Sequence, residues 1–232
     1  MPSNYLKYYQ KMNTPPINMH LLGSLLKCPQ GDNAIAVGNF AFDSNKSMIF
    51  NTIDSLSLQP QSSVLEIGFG NGKHLSYLFD KHPSISYMGI ETSEIMITEA
   101  QTYIQEHLSK ATAKFLKVSP DLNNNIPTLF DNCFSVNTLY FLDQPINYYQ
   151  KIYKLLNPSA KIAIGFIDKT IGKKAPFITQ DFQFYTVEEV ENILLKSGFI
   201  SPEKKYFEEL LISQKGKKIK RCYWVITAYT KP

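Results

Sequence analysis

Between residues 64 and 72 the chain reads Val64-Leu65-Glu66-Ile67-Gly68-Phe69-Gly70-Asn71-Gly72, an apolar strand running into three alternating glycines. No other stretch constrains the fold as tightly. Glycine tolerates left-handed backbone conformations, and a glycine turn that ends a strand and opens a helix points backbone N–H groups at a ligand beyond it. Such turns belong to α/β proteins whose ligands sit at the C-terminal ends of parallel strands. In a dinucleotide turn, G-x-G-x-x-G, the third glycine comes one residue later, and here Lys73 holds that place. The turn therefore reads as a nucleotide site with no pyrophosphate to cradle.

Two acids flank it. Glu66 lies two residues before the first glycine. There its carboxylate can face a positively charged ligand group or cap its own turn. Glu91 ends the next apolar run, Ser86 to Glu91. An acid about twenty residues beyond the glycines accepts hydrogen bonds from both ribose hydroxyls. The following Thr92-Ser93-Glu94 also reads as a helix N-cap. A nucleoside carrying sulfonium and ammonium charges but no phosphate, S-adenosylmethionine (SAM), suits this pair of acids. Thr92 and Met96 are placed along its adenine, although a methionine at helical spacing serves equally well as core. His74, one turn into the helix that follows, reads as helix surface.

The surrounding pattern alternates strands and helices. Helices are predicted over Ser44 to Leu56, Gly72 to Lys81, Ser93 to Leu108, Ile146 to Leu155 and Thr186 to Ser197. Strands are predicted over Ser63 to Ile67, Ser86 to Glu91, Lys114 to Val118, Cys133 to Asn137 and Lys161 to Phe166. Two long strands follow, near Glu203 to Ser213 and Arg221 to Tyr229. The basic run Lys215 to Arg221 between them reads as a hairpin turn. The expectation is an α/β, Rossmann-like, doubly wound sheet of seven strands with a C-terminal antiparallel hairpin. Residues 1–42, broken by Pro15-Pro16 and Pro29-Gln30-Gly31, read as an N-terminal helical segment or lid, and residues 43–232 as the binding domain.

Composition narrows the partners. With 44% apolar and 19% charged residues, the 232-residue chain can bury a sizeable core as one domain. The net charge of +4 rests on lysine, because Arg221 is the only arginine. Nucleic-acid readout favours the planar arginine fork, so no nucleic-acid partner is expected. Cys28, Cys133 and Cys222 form no C-x-x-C pair and the four histidines have no ligand spacing, so no metal is expected. The absence of a signal-type N-terminus or a run of about 20 apolar residues predicts a cytoplasmic protein without a membrane span.

The run Val64 to Gly72 with Gly89-Ile90-Glu91-Thr92-Ser93 resembles the class I methyltransferases of the ubiquinone/menaquinone-biosynthesis type. Phe130-Asp131, Val136 to Phe141, Leu155-Leu156-Asn157-Pro158 and Ser197-Gly198-Phe199 extend the likeness over residues 40–230. Cys28-Pro29-Gln30-Gly31 and Asn45 are similar to segments that precede this fold in small bacterial methyltransferases. The resemblance implies that Glu66, Gly68, Phe69, Gly70, Gly72, Glu91, Thr92, Met96 and Asn137 hold SAM, with S-adenosylhomocysteine (SAH) as product. Where the family has Gly-Asp-Ala after the third strand, this chain has Ser119-Pro120-Asp121, which makes Asp121 the nearest acid for the adenine amino group. Asn137-Thr138-Leu139-Tyr140 stands in place of the Asn-Pro-Pro-Tyr of enzymes that methylate DNA amines or protein glutamine, which implies a small-molecule acceptor.

Methyl transfer from a sulfonium is an in-line displacement that needs alignment in a dry pocket more than an acid or base. Tyr140 and Asp168 are the catalytic candidates, Lys169 to Phe184 is a candidate flap, and Tyr8, Tyr9 and Phe42 could close the pocket. Two alternatives share the same turn: a degenerate SAM-binding protein without activity, and an NAD-dependent oxidoreductase, which the glycine spacing and terminal hairpin disfavour.

Overall fold

The structure is a computed structural model that describes residues 19–126, 128–175, 177–212 and 218–232. Tyr8 and Tyr9, and the basic turn from Lys215 to Lys217, lie outside the described residues.

The strands are β1 (Ser63–Ile67), β2 (Ser86–Glu91), β3 (Thr112–Lys117), β4 (Phe130–Val136), β5 (Leu156–Phe166), β6 (Ile200–Ile212) and β7 (Lys218–Tyr229). They form one sheet in the order β3-β2-β1-β4-β5-β7-β6. The first five run parallel, and β7 pairs antiparallel with both β5 and β6. This is the expected doubly wound sheet closed by an antiparallel hairpin. Val64, Leu65, Glu66 and Ile67 of β1 are all buried, as a central strand covered on both faces must be. The chain leaves β1 toward β2 on one side and later returns to β4 on the other. That reversal opens a crevice beyond the C-terminal ends of β1 and β4.

The helices are α1 (Met19–Lys27), α2 (Ala34–Leu56), α3 (Leu75–Lys81), α4 (Glu94–His107), α5 (Pro145–Tyr153), α6 (Lys169–Gly172) and α7 (Val187–Lys196). The helix predicted from Ser44 begins at Ala34, so the division drawn at residues 42 and 43 falls inside α2. Within it, Gly38 is a packing position. A Cβ there would stand 2.6 Å from Met96 Sδ, so the missing side chain lets α4 approach α2. At 23 residues α2 is about 35 Å long. Its Thr52 lies against β5, where a Cβ on Gly165 would meet Thr52 Oγ1 at 2.3 Å.

One side chain at the N-terminal edge of the sheet sets strand lengths that periodicity understates. The Asp131 carboxylate accepts from the Ser63 backbone and hydroxyl, both at 2.8 Å, and from Asn157 Nδ2 at 2.8 Å. One side chain thus joins the starts of β1, β4 and β5, and β4 and β5 begin earlier than their apolar runs do. α7 starts on a capping box in which Thr186 and Glu189 satisfy each other's backbone N–H groups.

Candidate active site

A cavity of about 940 Å³ opens at the β1/β4 crevice and is lined by Gly68, Phe69 and Gly70, by Glu91, Thr92 and Met96, and by Asn137 and Tyr140. That volume lies toward the upper end for small-molecule sites and leaves room for a nucleoside and a second reactant.

The glycine turn forms the first wall. Gly68, Gly70 and Gly72 have φ values of +71°, +59° and +71°, which L side chains rarely adopt. Their tasks differ. A Cβ on Gly68 would stand 2.8 Å from Thr138 Oγ1, and one on Gly72 would stand 2.8 Å from the Ala100 Cβ. Those two glycines allow close packing against the β4 loop and α4, and Gly72 does not line the cavity. Gly70 does line it, and a Cβ there would meet no protein atom within 4 Å. The space in front of Gly70 is a cradle that a side chain would fill, as a ligand lying against the backbone requires.

Glu91 forms the second wall. Its Oε2 accepts from Gly70 N at 3.1 Å, and its Oε1 accepts from Thr92 N at 2.7 Å and Ser93 N at 3.2 Å. Burial raises its pKa, against the opposing pull of those N–H groups. The helix cap that the sequence offered as an alternative role belongs to Ser93, whose Oγ accepts from Met96 N at 3.3 Å. The same hydroxyl donates to the Pro29 carbonyl, which ties the segment after α1 to the start of α4. Met96 is both core and wall, packed on Gly38 and lining the cavity. Phe69 lines it too, with its ring centroid 5.0 Å from that of Phe115.

Glu66 lines the cavity from below the turn and is held by two donors on one oxygen: His74 Nε2 lies 2.7 Å from Oε2, and the Tyr87 hydroxyl donates to it at 2.5 Å. His74 is not helix surface, as its sequence position suggested. It is 2% exposed, because α3 starts only at Leu75 and His74 sits in the turn that folds beneath Glu66. Burial, with Glu66 beside it, pushes the Tyr87 phenol well up.

The candidate acceptor side is aromatic. Tyr140, Phe141, Phe182 and Phe184 pack as one cluster with centroid separations of 4.7 to 6.3 Å, and all four line the cavity. The predicted flap, Lys169 to Phe184, contributes several of these lining residues, and Phe42 lines the cavity from α2. α1 covers the opening. Leu22 and Leu25 pack with Val37 and Phe177, and Lys27 pairs with Asp181 at 3.5 Å.

Tyr140 and Asp168 are not placed as acid–base groups. The Tyr140 hydroxyl donates to Asn137 Oδ1 at 2.8 Å and accepts from Ile167 N at 2.5 Å, and burial pushes its pKa up. It braces Asn137, whose φ of +56° turns the chain after β4. Asp168 does not line the cavity; its carboxylate N-caps α6, accepting from Thr170 N at 2.8 Å. Asp121 also stands outside, bonded to Asn123, and the lining there comes from Val118, Ser119, Pro120 and Asn124. Sequence reasoning missed Arg221 and Ser44, which line the cavity from β7 and α2. Among the described residues no group of three His, Cys, Asp or Glu could hold a metal, and no helix is long and apolar enough to cross a membrane.

A parallel sheet ended by an antiparallel hairpin, with a glycine turn and an acidic strand end meeting in one cavity, is the arrangement of the class I methyltransferase fold. Residues 65–162 of the chain match the family model described as a methyltransferase domain. Phosphoethanolamine N-methyltransferase 2 of Caenorhabditis elegans is 24% identical over 195 residues, which span 80% of this chain and 43% of that protein. The chain thus spans less than half the length of that relative. An uncharacterized methyltransferase of Bacillus subtilis is 26% identical over 157 residues, 66% of this chain and 84% of that one. The solved Haemonchus contortus phosphoethanolamine N-methyltransferase 2, in complex with phosphomonomethylethanolamine and SAH, shares the fold. Its TM-score is 0.64 at 15% identity, over 94% of this chain and 62% of that one.

Proposed function

We propose that the protein transfers a methyl group from SAM to a small molecule bound between the glycine turn and the aromatic cluster. The observation that carries this reading is the continuity of the cavity from Gly70 and Glu91 to Tyr140 and Phe182, which leaves room for two reactants in one volume. The names of the phosphoethanolamine methyltransferases, whose acceptors are small, support it. The likeness of residues 64–72 to the ubiquinone/menaquinone-biosynthesis type belongs to the same proposal.

In this reading the Gly70 backbone lies against the nucleoside, Glu91 accepts from the ribose hydroxyls, and Phe69, Thr92 and Met96 enclose the adenine. Glu66, fixed by His74 and Tyr87, keeps its second oxygen for a cationic group. When bound, SAM supplies an activated methyl on a sulfonium. The aromatic cluster excludes water, and Asn137 orients the neighbouring groups. Neither Tyr140 nor Asp168 serves as a base in this reading, so the chemistry rests on alignment and suits an acceptor that is nucleophilic once deprotonated by solvent, such as an amine or thiol.

Calorimetric titration with SAH and with NADH tests the cofactor. Binding of SAH on the order of micromolar Kd and none of NADH is expected. Radiolabelled SAM with a panel of small amines and thiols then tests the transfer; SAH binding without labelled product from any acceptor would favour a binding protein.

A further inference from the structure

The only arginine in the chain, Arg221, is buried at the cavity wall. It stands on β7 three residues before Trp224, which pairs with the last residue of β5, so it projects beyond the C-terminal end of β5. From β1 the strands run β4, β5, β7, which puts Arg221 about 14 Å across the sheet from the glycine turn at the usual strand spacing. That is the acceptor side of the cavity.

Its guanidinium is oriented from behind. Nε donates to Glu209 Oε1 at 2.6 Å, Nη1 to Asn45 Oδ1 at 3.1 Å, and Nη2 to the Ser44 carbonyl and Glu209. Glu209 does not line the cavity, whereas Arg221, Ser44 and Asn45 do. A guanidinium carries five N–H groups. Four have partners, and one Nη1 hydrogen has none among the described residues. Ser44 is 6% exposed, and its enclosed hydroxyl has no hydrogen-bond partner among the described residues. An unpaired buried hydroxyl is costly, and so is a desolvated arginine where an apolar side chain would fill the wall. Asn45 Nδ2 donates to the Ala41 carbonyl at 2.9 Å and keeps a second hydrogen. Three donor groups on adjoining residues of the cavity wall thus lack an acceptor among the described residues.

We propose that Arg221, Ser44 and Asn45 form an anion subsite for the methyl acceptor, which therefore carries a carboxylate or phosphate group besides its methylated atom. The inference rests on the methyl-transfer reading above and adds the chemical class of the acceptor. Arginine with a hydroxyl and an amide is a donor set suited to oxyanions, and Glu209 holds the fork in place without reaching the ligand.

The test uses the full chain, first titrated with SAH and then, saturated with it, titrated separately with inorganic phosphate and with acetate at constant ionic strength. Saturable binding of at least one of them is expected, and which one binds tells phosphate from carboxylate. Arg221→Gln is expected to weaken that anion by about tenfold or more, with SAH affinity held within about twofold. Ser44→Ala, which leaves the Arg221 pairs in place, is expected to weaken it by about threefold or more and decides the matter if Arg221→Gln does not fold. The proposal is overturned if neither anion saturates the SAH complex, or if binding is unchanged in the variants. It is also overturned if Arg221→Gln weakens SAH itself, since the guanidinium would then belong to the cofactor. Failure of the unsubstituted chain to bind SAH in the first titration sinks the underlying reading instead.

Discussion

Gly70 and Gly68 look alike in the sequence, yet the structure separates their tasks. Alanine at Gly70 would meet open space and bear only the strain of a positive φ, about 1 kcal/mol. Gly70→Ala is therefore expected to keep the fold, with a small loss of Tm, while SAH affinity falls by about tenfold or more because the cradle is filled. Gly68→Ala would drive a Cβ onto Thr138 and is expected to lose stability first, which thermal melts can show. Glu91 is the other residue with a direct readout. Its alanine variant is expected to weaken SAH by about 1.5 to 3 kcal/mol, the usual scale for hydrogen bonds to a charged group. Burial raises its pKa in the fold, so the ionised form costs stability above the ordinary carboxylate range, and acidification relieves that cost. SAH affinity is expected to fall on acidification with a midpoint above the ordinary Glu value of 4.5, and Glu91→Gln should flatten that profile. A profile unchanged in the variant would remove Glu91 from the ribose site.

Among the elements, β1, β2 and α7 were readable almost to the residue, because short apolar runs bounded by Pro60-Gln61, Glu91 and the Thr186 cap leave little choice of register. α2 was not: it starts at Ala34 rather than at Ser44, and Gly38 inside it is fitted to Met96 of α4. The same limit applied to β5. Predicted from Lys161, it begins at Leu156, and Asp131 holds Asn157 at the start of the strand. At α7 the capping box offers a direct test of a readable feature. Thr186→Ala is expected to cost about 1 kcal/mol in urea unfolding without changing SAH affinity, since the cap lies outside the cavity.

At the scale of the molecule, Asp131 links three strands and gives the fold an acid dependence. Burial acts to raise its pKa, but the Ser63 N–H, Asn157 and the Ser63 hydroxyl together hold the carboxyl below its usual value. A depressed folded value adds stability that is present above the unfolded value near 3.9 and is lost as pH falls through the folded one. The unfolding free energy should therefore decline below about pH 4, and Asp131→Asn should remove part of that decline while lowering stability at neutral pH by about 1 kcal/mol. Urea melts from pH 2 to 7 on both proteins would check it.

The glycine-turn end of the cavity was legible in the sequence because its determinants are local. A strand, three glycines and an acid about twenty residues on must meet once the strands pair in parallel, whatever the rest of the chain does. The other end of the cavity is of another kind. Asn45 and Arg221 are 176 residues apart, and His74 and Tyr87 reach one oxygen of Glu66 from different elements. No periodicity or spacing announces such meetings. They follow from which strand lies beside which and how far α2 runs beneath the sheet, and only packing in three dimensions decides that.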